Sequence, residues 1–113
     1  GRARIPIALT IEGNAQVPPD VKIAFYHVAQ EALNNVTKHA RADFATLTLS
    51  RQPGKVRLTI HDDGRGFEQM QVTPEHLGLT IMYERAADIG ALLIIESAVG
   101  AGTTISISWT AYE

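Results

Sequence analysis

The most informative segment for predicting the fold is Gln30-Glu31-Ala32-Leu33-Asn34-Asn35-Val36-Thr37-Lys38-His39-Ala40. It closes a longer segment, residues 20–39, in which apolar side chains recur every three or four positions. These are Val21, Phe25, Val28, Ala32 and Val36. The spacing places them on one stripe, so the segment is predicted to be a long amphipathic helix with one face in a core. Pro18-Pro19-Asp20, at its beginning, favours a helix start.

One wall of this helix carries an unusual set of polar side chains. At about 100° per residue, Glu31, Asn35 and Lys38 share a sector with His27 and Asn34, beside the apolar stripe. Two adjacent asparagines are unexpected there, because Asn is a mediocre helix former. An Asn oxygen can ligate Mg²⁺, Lys can contact phosphate, and Glu can orient water or accept a proton. The wall therefore suits a metal-bound polyphosphate, although a solvated helix face is the plainer alternative.

Strand-like segments surround the helix. One strand is predicted before it, over residues 5–11, and two antiparallel hairpins after it, from residues 44–51 with 55–61 and 91–97 with 103–109. A shorter helix is predicted over residues 78–89, with Gly90 at its C-terminal cap. Residues 62–77 are predicted to be a loop of functional length. Strands that pair largely with sequence neighbours, with helices between them, indicate an α+β two-layer sandwich.

Two glycine-rich turns stand out between these elements. Asp62-Asp63-Gly64-Arg65-Gly66-Phe67 follows a strand, and Gly100-Ala101-Gly102-Thr103 joins two others. Asp62 can accept a hydrogen bond from an exocyclic amine or ligate a cation, and the glycines allow tight turns and close approach of a ligand. Ordinary turns remain the alternative for each motif. Neither is a dinucleotide fingerprint and no P-loop is present, so any nucleotide must be held in another way.

Composition limits the remaining possibilities. The 113 residues form one domain, with no cysteine for a disulfide or a thiolate site. A formal charge of −2 gives no basic excess for nucleic acid. No apolar run approaches the length of a membrane span, and nothing resembles a signal peptide. Because the chain begins at Gly1 without methionine and soon enters a strand, we expect it to be a piece of a longer protein.

Four motifs, taken in order, resemble those of bacterial sensor histidine kinases. Residues 30–40 resemble the N box, 62–67 the G1 box, 76–86 the G2 region, and 100–103 the final G-x-G-T. The residues in these motifs are most similar to those of the subfamily that includes the nitrate sensors and the lipid thermosensor kinase. The resemblance implies that residues 1–113 are a catalytic and ATP-binding domain lacking its dimerisation and phosphoacceptor domain. Its Bergerat fold would pack a mixed sheet of about five strands on about three helices.

The resemblance also implies roles for particular residues. On the helix wall, Asn35 would ligate Mg²⁺, Glu31 would help to organise the ion through water, and Lys38 would contact phosphate; these three would be the catalytic residues. The expected ATP-binding residues are Asn34, Asn35, Lys38, His39, Asp62, Gly64, Gly66, Phe67, Leu77, Gly78, Leu79, Gly102 and Thr103.

Within that set, Asp62 would accept the adenine amino group, with support from Thr103. Gly64 and Gly66 would admit the base. Residues 67–77 would form a short lid, and Gly78 and Leu79 would open a helix whose N-terminus faces the phosphates.

The implied function is transfer of the γ-phosphate of Mg·ATP to a histidine on a companion dimerisation domain, and onward to a response regulator. We expect a cytoplasmic location, no contact of this domain with a membrane or nucleic acid, and a monomeric isolated domain within a parent that can be membrane-anchored. Two alternatives share the fold: a serine kinase of the anti-sigma-factor type, and a regulatory module that binds nucleotide without turnover.

Overall fold

The computed structural model of the chain describes residues 5–68 and 78–111. Within them lie five strands and two helices. In chain order these are β1 (Ile7–Gly13), α1 (Pro19–Lys38), β2 (Ala45–Gln52), β3 (Lys55–Asp62), α2 (Leu79–Asp88), β4 (Leu92–Ser97) and β5 (Thr103–Thr110). The α+β prediction is confirmed. The third helix that the family resemblance implied is not among the described residues.

One mixed sheet has the strand order β1-β2-β3-β5-β4. The two predicted hairpins, β2–β3 and β4–β5, are present and antiparallel. Two further pairings join distant parts of the chain. β1 runs parallel to β2 across the α1 crossover, and β5 lies antiparallel to β3. The ends of β3 and β5 therefore become neighbours, although about forty residues separate them in sequence.

The core lies between one face of this sheet and the two helices. In the sheet, directly opposed residues share a face, so Leu58, Ile107 and Leu93 form one apolar row. The predicted stripe of α1 is buried along its whole length against this face, and Val28 is completely inaccessible to solvent. Met82 of α2 is also inaccessible, which anchors α2 beside α1 in the same layer.

The first strand differs from its predicted bounds and is the exposed edge of the sheet. It extends to Gly13 because the parallel pairing with β2 continues to Gly13 and Arg51. Its apolar residues Ile7, Leu9 and Ile11 are 41–62% exposed, since neither helix covers that end of the sheet. In the part of the chain that the structure describes, neither helix is long and apolar enough to span a membrane.

Candidate functional site

A cavity opens between α1, the start of α2, and the ends of β3 and β5. Its volume is about 110 Å³, and it is partly open to solvent. Apolar side chains make much of its lining. Its lining residues are Ala32, Asn35, Val36, His39, Ala40, Ile60, Asp62, Arg65, Gly66, Phe67, Leu79, Thr103 and Ile105.

Asp62 is the buried charged group of this cavity, with only 4% of its surface exposed. Its Oδ1 accepts a hydrogen bond of 2.8 Å from the backbone N–H of Gly64. Burial raises the pKa of the Asp62 carboxyl above its usual value, and the hydrogen bond from Gly64 opposes that rise only in part. A buried carboxylate that borders an apolar cavity is suited to accept hydrogen bonds from a ligand amine.

Thr103 lies directly opposite Asp62 in the β3–β5 register and also borders the cavity. Its Oγ1 lies 2.8 Å from the Oγ of Ser97, the last residue of β4. The Ser97 hydroxyl in turn accepts a bond of 2.9 Å from the N–H of Phe67 and donates one of 3.2 Å to the carbonyl of Gly102. Ser97 therefore ties together three of the predicted site residues, Phe67, Gly102 and Thr103. Ser97 was not among the predicted site residues, because a serine at a strand end carries no motif of its own.

The glycines of the two turns are needed for close approach of the chain to itself. A side chain at Gly64 would overlap the carbonyl of Ala40, and one at Gly66 would overlap the carbonyl of Ala98. Gly102 would likewise collide with the carbonyl of Asp62. Gly66 also has a φ of 64°, in the left-handed region. The absence of side chains at these glycines lets three turns pack together around the cavity. Gly66 is also part of the cavity lining.

Backbone hydrogen bonds complete this junction. The Arg65 N–H donates to the carbonyl of Ala40 at 2.7 Å, and the Gly100 N–H donates to the carbonyl of Arg65 at 2.6 Å. The Asp63 carboxylate accepts from the N–H groups of Asp43 and Phe44, at 2.9 and 3.1 Å. The turn after β3 is thus held by hydrogen bonds to the segments on both sides of it, and these bonds fix the position of Asp62.

The α1 wall is only partly brought into the cavity. Asn35 and His39 line it, whereas Asn34 and Lys38 are exposed outside that lining. Glu31 is half-buried and lies against Gly78, so the wall of α1 contacts the start of α2. The end of the helix is shaped by the Asn35 carbonyl, which accepts from the N–H groups of His39 and Ala40.

The start of α2 is the other border of the site. Gly78 caps the helix with a φ of 69°, and Leu79 follows it into the cavity lining. The hydroxyl of Thr80, next along the helix, is buried without a hydrogen-bond partner among the described residues. Thr80 was not among the predicted site residues. Leu77 and the predicted lid beyond Glu68 lie outside the described residues.

The oxygen donors of this site are too few to hold a hard cation alone, so a bound ligand must supply further oxygens. No group of three or more His, Asp or Glu residues that is able to hold a metal ion occurs within residues 5–68 and 78–111. Mg²⁺ commonly takes one or two protein oxygens and completes its shell with phosphates and water. An amide oxygen of Asn35 and a water on Glu31 fit that requirement.

Comparison with known families gives a match over residues 20–113. The matching family model is described as histidine kinase-, DNA gyrase B-, and HSP90-like ATPase. It covers α1, the cavity and both glycine-rich turns.

Individual relatives agree with this match. The sensor histidine kinase LiaS of Bacillus subtilis is 38% identical over 73% of this chain, and DegS of Brevibacillus brevis, named a signal transduction histidine-protein kinase/phosphatase, is 37% identical over 80%. The chain spans only 23% and 24% of the lengths of these two curated relatives.

Solved structures agree as well. The blue-light activated histidine kinase of Erythrobacter litoralis superposes with a TM-score of 0.81 at 27% identity, over 98% of this chain and 36% of that one. The mycobacterial sensor histidine kinase MprB shares the fold, with a TM-score of 0.68 at 20% identity, over 94% of this chain and 81% of that one.

Proposed function

We propose that this chain, which belongs to the family of histidine kinase-, DNA gyrase B-, and HSP90-like ATPases, binds Mg·ATP and donates its γ-phosphate to a histidine of a companion domain. The observation that carries the proposal is the buried Asp62 in an apolar cavity that also contains Asn35. The buried carboxylate supports recognition of a ligand amine, and the amide of Asn35 supports contact with a metal-bound phosphate.

At the adenine end, Asp62 accepts hydrogen bonds from the exocyclic amino group. Val36, Ile60 and Ile105 supply apolar lining for the flat faces of the base. The pairing is selective, because a carbonyl in place of the amino group would face a carboxylate with no hydrogen between them.

At the phosphate end, Asn35 would hold Mg²⁺ through its amide oxygen, and Glu31 would hold it through a water. His39 borders the same end of the cavity, and Lys38 reaches the phosphates from the exposed side of α1. The bound ion would supply neutralisation of the charge on the phosphates. Leu79 begins α2 beside them, where the N-terminal N–H groups of a helix favour an anion.

The chain's own contribution to the reaction is positioning and charge neutralisation, which phosphoryl transfer chiefly requires. A ring nitrogen of the acceptor histidine forms the N–P bond as the bond between the γ-phosphorus and the bridging oxygen breaks. ADP leaves with that electron pair. A carboxylate beside the acceptor, on the companion domain, takes the imidazole proton. Glu31 is therefore not the base and would help to hold the metal ion.

The partners follow from this chemistry. The companion domain dimerises and carries the acceptor histidine, and a response regulator aspartate receives the phosphate next. We propose a cytoplasmic site of action, because that is where ATP is available. The domain alone is a monomer without nucleic-acid or membrane contacts, and the parent protein can be membrane-anchored.

Calorimetry with a non-hydrolysable ATP analogue tests the binding step. We expect the chain to bind the analogue with Mg²⁺, and Asn35→Ala to lose most of the gain in affinity that Mg²⁺ provides. Thr37→Ala is the matched control on the same helix, since the Thr37 hydroxyl donates, among the residues that the structure describes, to the backbone carbonyls of Leu33 and Asn34. Absence of binding to the wild-type chain would refute the proposal.

A second experiment tests the transfer step. With the companion domain added in trans and ATP labelled at the γ-position, label should appear on the acceptor as an acid-labile phosphohistidine. An acid-stable phosphate would instead indicate a serine kinase of the same fold. Binding without any transfer to an acceptor would indicate a regulatory module.

A further inference from the structure

The apolar surface at the β1 edge of the sheet lies on the same face as the core. Leu9 and Ile11 of β1 are in register with Leu47 and Leu49 of β2, and residues in register share a face of the sheet. The two β2 leucines pack against the buried core, whereas Leu9 and Ile11, with Ile7 beside them, are 41–62% exposed. The apolar layer of the core therefore continues past the helices onto an uncovered surface.

One side of α1 forms a wall along this surface. Ala29 and Leu33 lie on that side, at about 100° per residue, and both are partly buried against the core. Glu31, which meets Gly78 at the start of α2, is on the opposite side of α1. Because α2 packs over β4, the side that carries Ala29 and Leu33 faces β1 and β2. We call this wall and the uncovered surface beside it the β1 groove.

The dimensions of the β1 groove match one helix. Neighbouring strands are about 4.8 Å apart, so β1 and β2 together offer a floor about 10 Å wide, the diameter of a helix. The seven residues of β1 extend about 23 Å, the length of a helix of about 15 residues. A strand added to the free edge of β1 would pair with its backbone and leave these side chains exposed, whereas a helix would cover them.

The end of the groove where β1 ends and α1 begins is basic. Lys22 is exposed on the groove side of α1, and Arg51, on the core face of β2, donates to the Gly13 carbonyl at 3.3 Å. The acidic residues nearby face elsewhere, since Asp20 is on the opposite side of α1 and Glu12 is on the other face of the sheet. Acidic side chains, or the C-terminal end of a helix, are therefore favoured at this end.

We propose that the β1 groove is the docking surface for one amphipathic helix of about 15 residues, supplied by another part of the parent protein. Its apolar stripe covers Leu9 and its neighbours, and its acidic end lies beside Lys22. The curated relatives have room for such a helix, because this chain spans only 23% and 24% of the lengths of two of them. The inference goes beyond the proposed function and is independent of it, since no residue named for the groove lines the cavity.

Hydroxyl-radical footprinting tests the proposal by comparing the isolated chain with the parent protein. Labelling of Ile7, Leu9 and Ile11 should fall about fivefold in the parent, because the centre of an interface excludes water. Leu92 and Ile94 are the matched control, since they are exposed on the opposite face of the sheet and should be labelled equally in both proteins. Equal labelling of the groove in the two proteins, or equal protection at both surfaces, would overturn the proposal.

Variants of the parent protein test the apolar and the charged contact separately. Leu9→Glu should restore the labelling of Ile7 and Ile11, and Lys22→Glu should restore part of it. Thr10→Glu places the same charge on the other face of β1 and should leave the protection intact. These three positions are exposed, so urea unfolding of the isolated variants should match the wild type. Protection that survives both Leu9→Glu and Lys22→Glu would contradict the proposal.

Sedimentation of the isolated chain distinguishes a second copy from a helix of the parent. We expect a monomer with a fully labelled groove at every concentration. A dimer of the isolated chain that protects the groove, and that Leu9→Glu dissociates, would overturn the proposal in favour of self-association through this face.

Discussion

The carboxylate of Glu31 occupies the position that a Cβ on Gly78 would take, so α1 meets the capping residue of α2 at this point. Gly78 has a φ of 69° and precedes the first turn of α2. A residue expected to organise Mg²⁺ is thereby in contact with the residue that fixes where α2 begins. The two borders of the phosphate end are set relative to each other by this contact.

Gly78→Ala should displace the Glu31 carboxylate. The strained backbone alone should cost about 1 kcal/mol of the free energy of unfolding. The displaced carboxylate should also reduce the affinity for Mg·ADP more than the affinity for ADP without Mg²⁺, as measured by calorimetry. Gly90→Ala is the matched control, because Gly90 has a φ of 67° with nothing near the added methyl group. Equal nucleotide affinities in the two variants would contradict the contact's role.

Gly66→Ala should be far more damaging than either of these changes. Its added Cβ would overlap the carbonyl of Ala98 in a backbone that is fastened on both sides, and its φ of 64° adds strain. We expect a loss of about 3 kcal/mol in urea unfolding, from overpacking and conformational strain together.

Gly64→Ala separates these two contributions. The added Cβ would overlap the carbonyl of Ala40, but no positive φ is involved. We expect its cost to be smaller than that of Gly66→Ala by about 1 kcal/mol. A Gly66→Ala variant as stable as Gly90→Ala would show that the junction around the cavity is not tightly packed.

Asp62→Asn should stabilise the protein without nucleotide while it weakens ATP binding. Burial raises the pKa of Asp62 above 3.8, so in the window above that value the folded state binds more protons than the unfolded state. The free energy of unfolding therefore falls as the pH rises through this window. At pH 7 the variant should be the more stable protein, and below about pH 4 the difference should vanish.

Denaturation measured from pH 3 to pH 8 checks this expectation, with binding measured in parallel. Glu84→Gln is the control, since it removes one carboxylate charge from an exposed position of α2. A stability difference for Asp62→Asn that does not change with pH would mean that burial of its charge is not the cause.

Asp63→Ala should destabilise the fold without changing the choice of base. It removes the acceptor for the N–H groups of Asp43 and Phe44, which begin the approach to β2. We expect Asp63→Ala to lose about 1–2 kcal/mol of the free energy of unfolding in urea. Asp63→Asn should keep most of the wild-type stability, because an amide oxygen can still accept these hydrogen bonds. The ratio of affinities for ATP and GTP, which has a carbonyl in place of the 6-amino group, should stay at the wild-type value. A changed ratio would show that Asp63 takes part in recognition of the base.

Part of this molecule was predictable because it depends on local pattern. The stripe of α1, the two hairpins and the start of α2 follow from periodicity, turn residues and caps, which act within a few positions of the chain. The four ordered motifs also indicated the family, which the comparisons confirm. Asp62 was predicted to be a site residue because its carboxyl group lies between a strand and a glycine-rich turn.

The tertiary structure alone decided which of these residues meet. Insertion of β5 between β3 and β4 puts Thr103 beside Asp62. No local pattern encodes that pairing, because it depends on which strands share the sheet and in which register. For the same reason the sequence could indicate Gly64 and Gly66 as special without showing that the chain's own carbonyls surround them. The helices and hairpins followed from local sequence pattern, whereas the pairing of Asp62 with Thr103 depends on packing between distant segments.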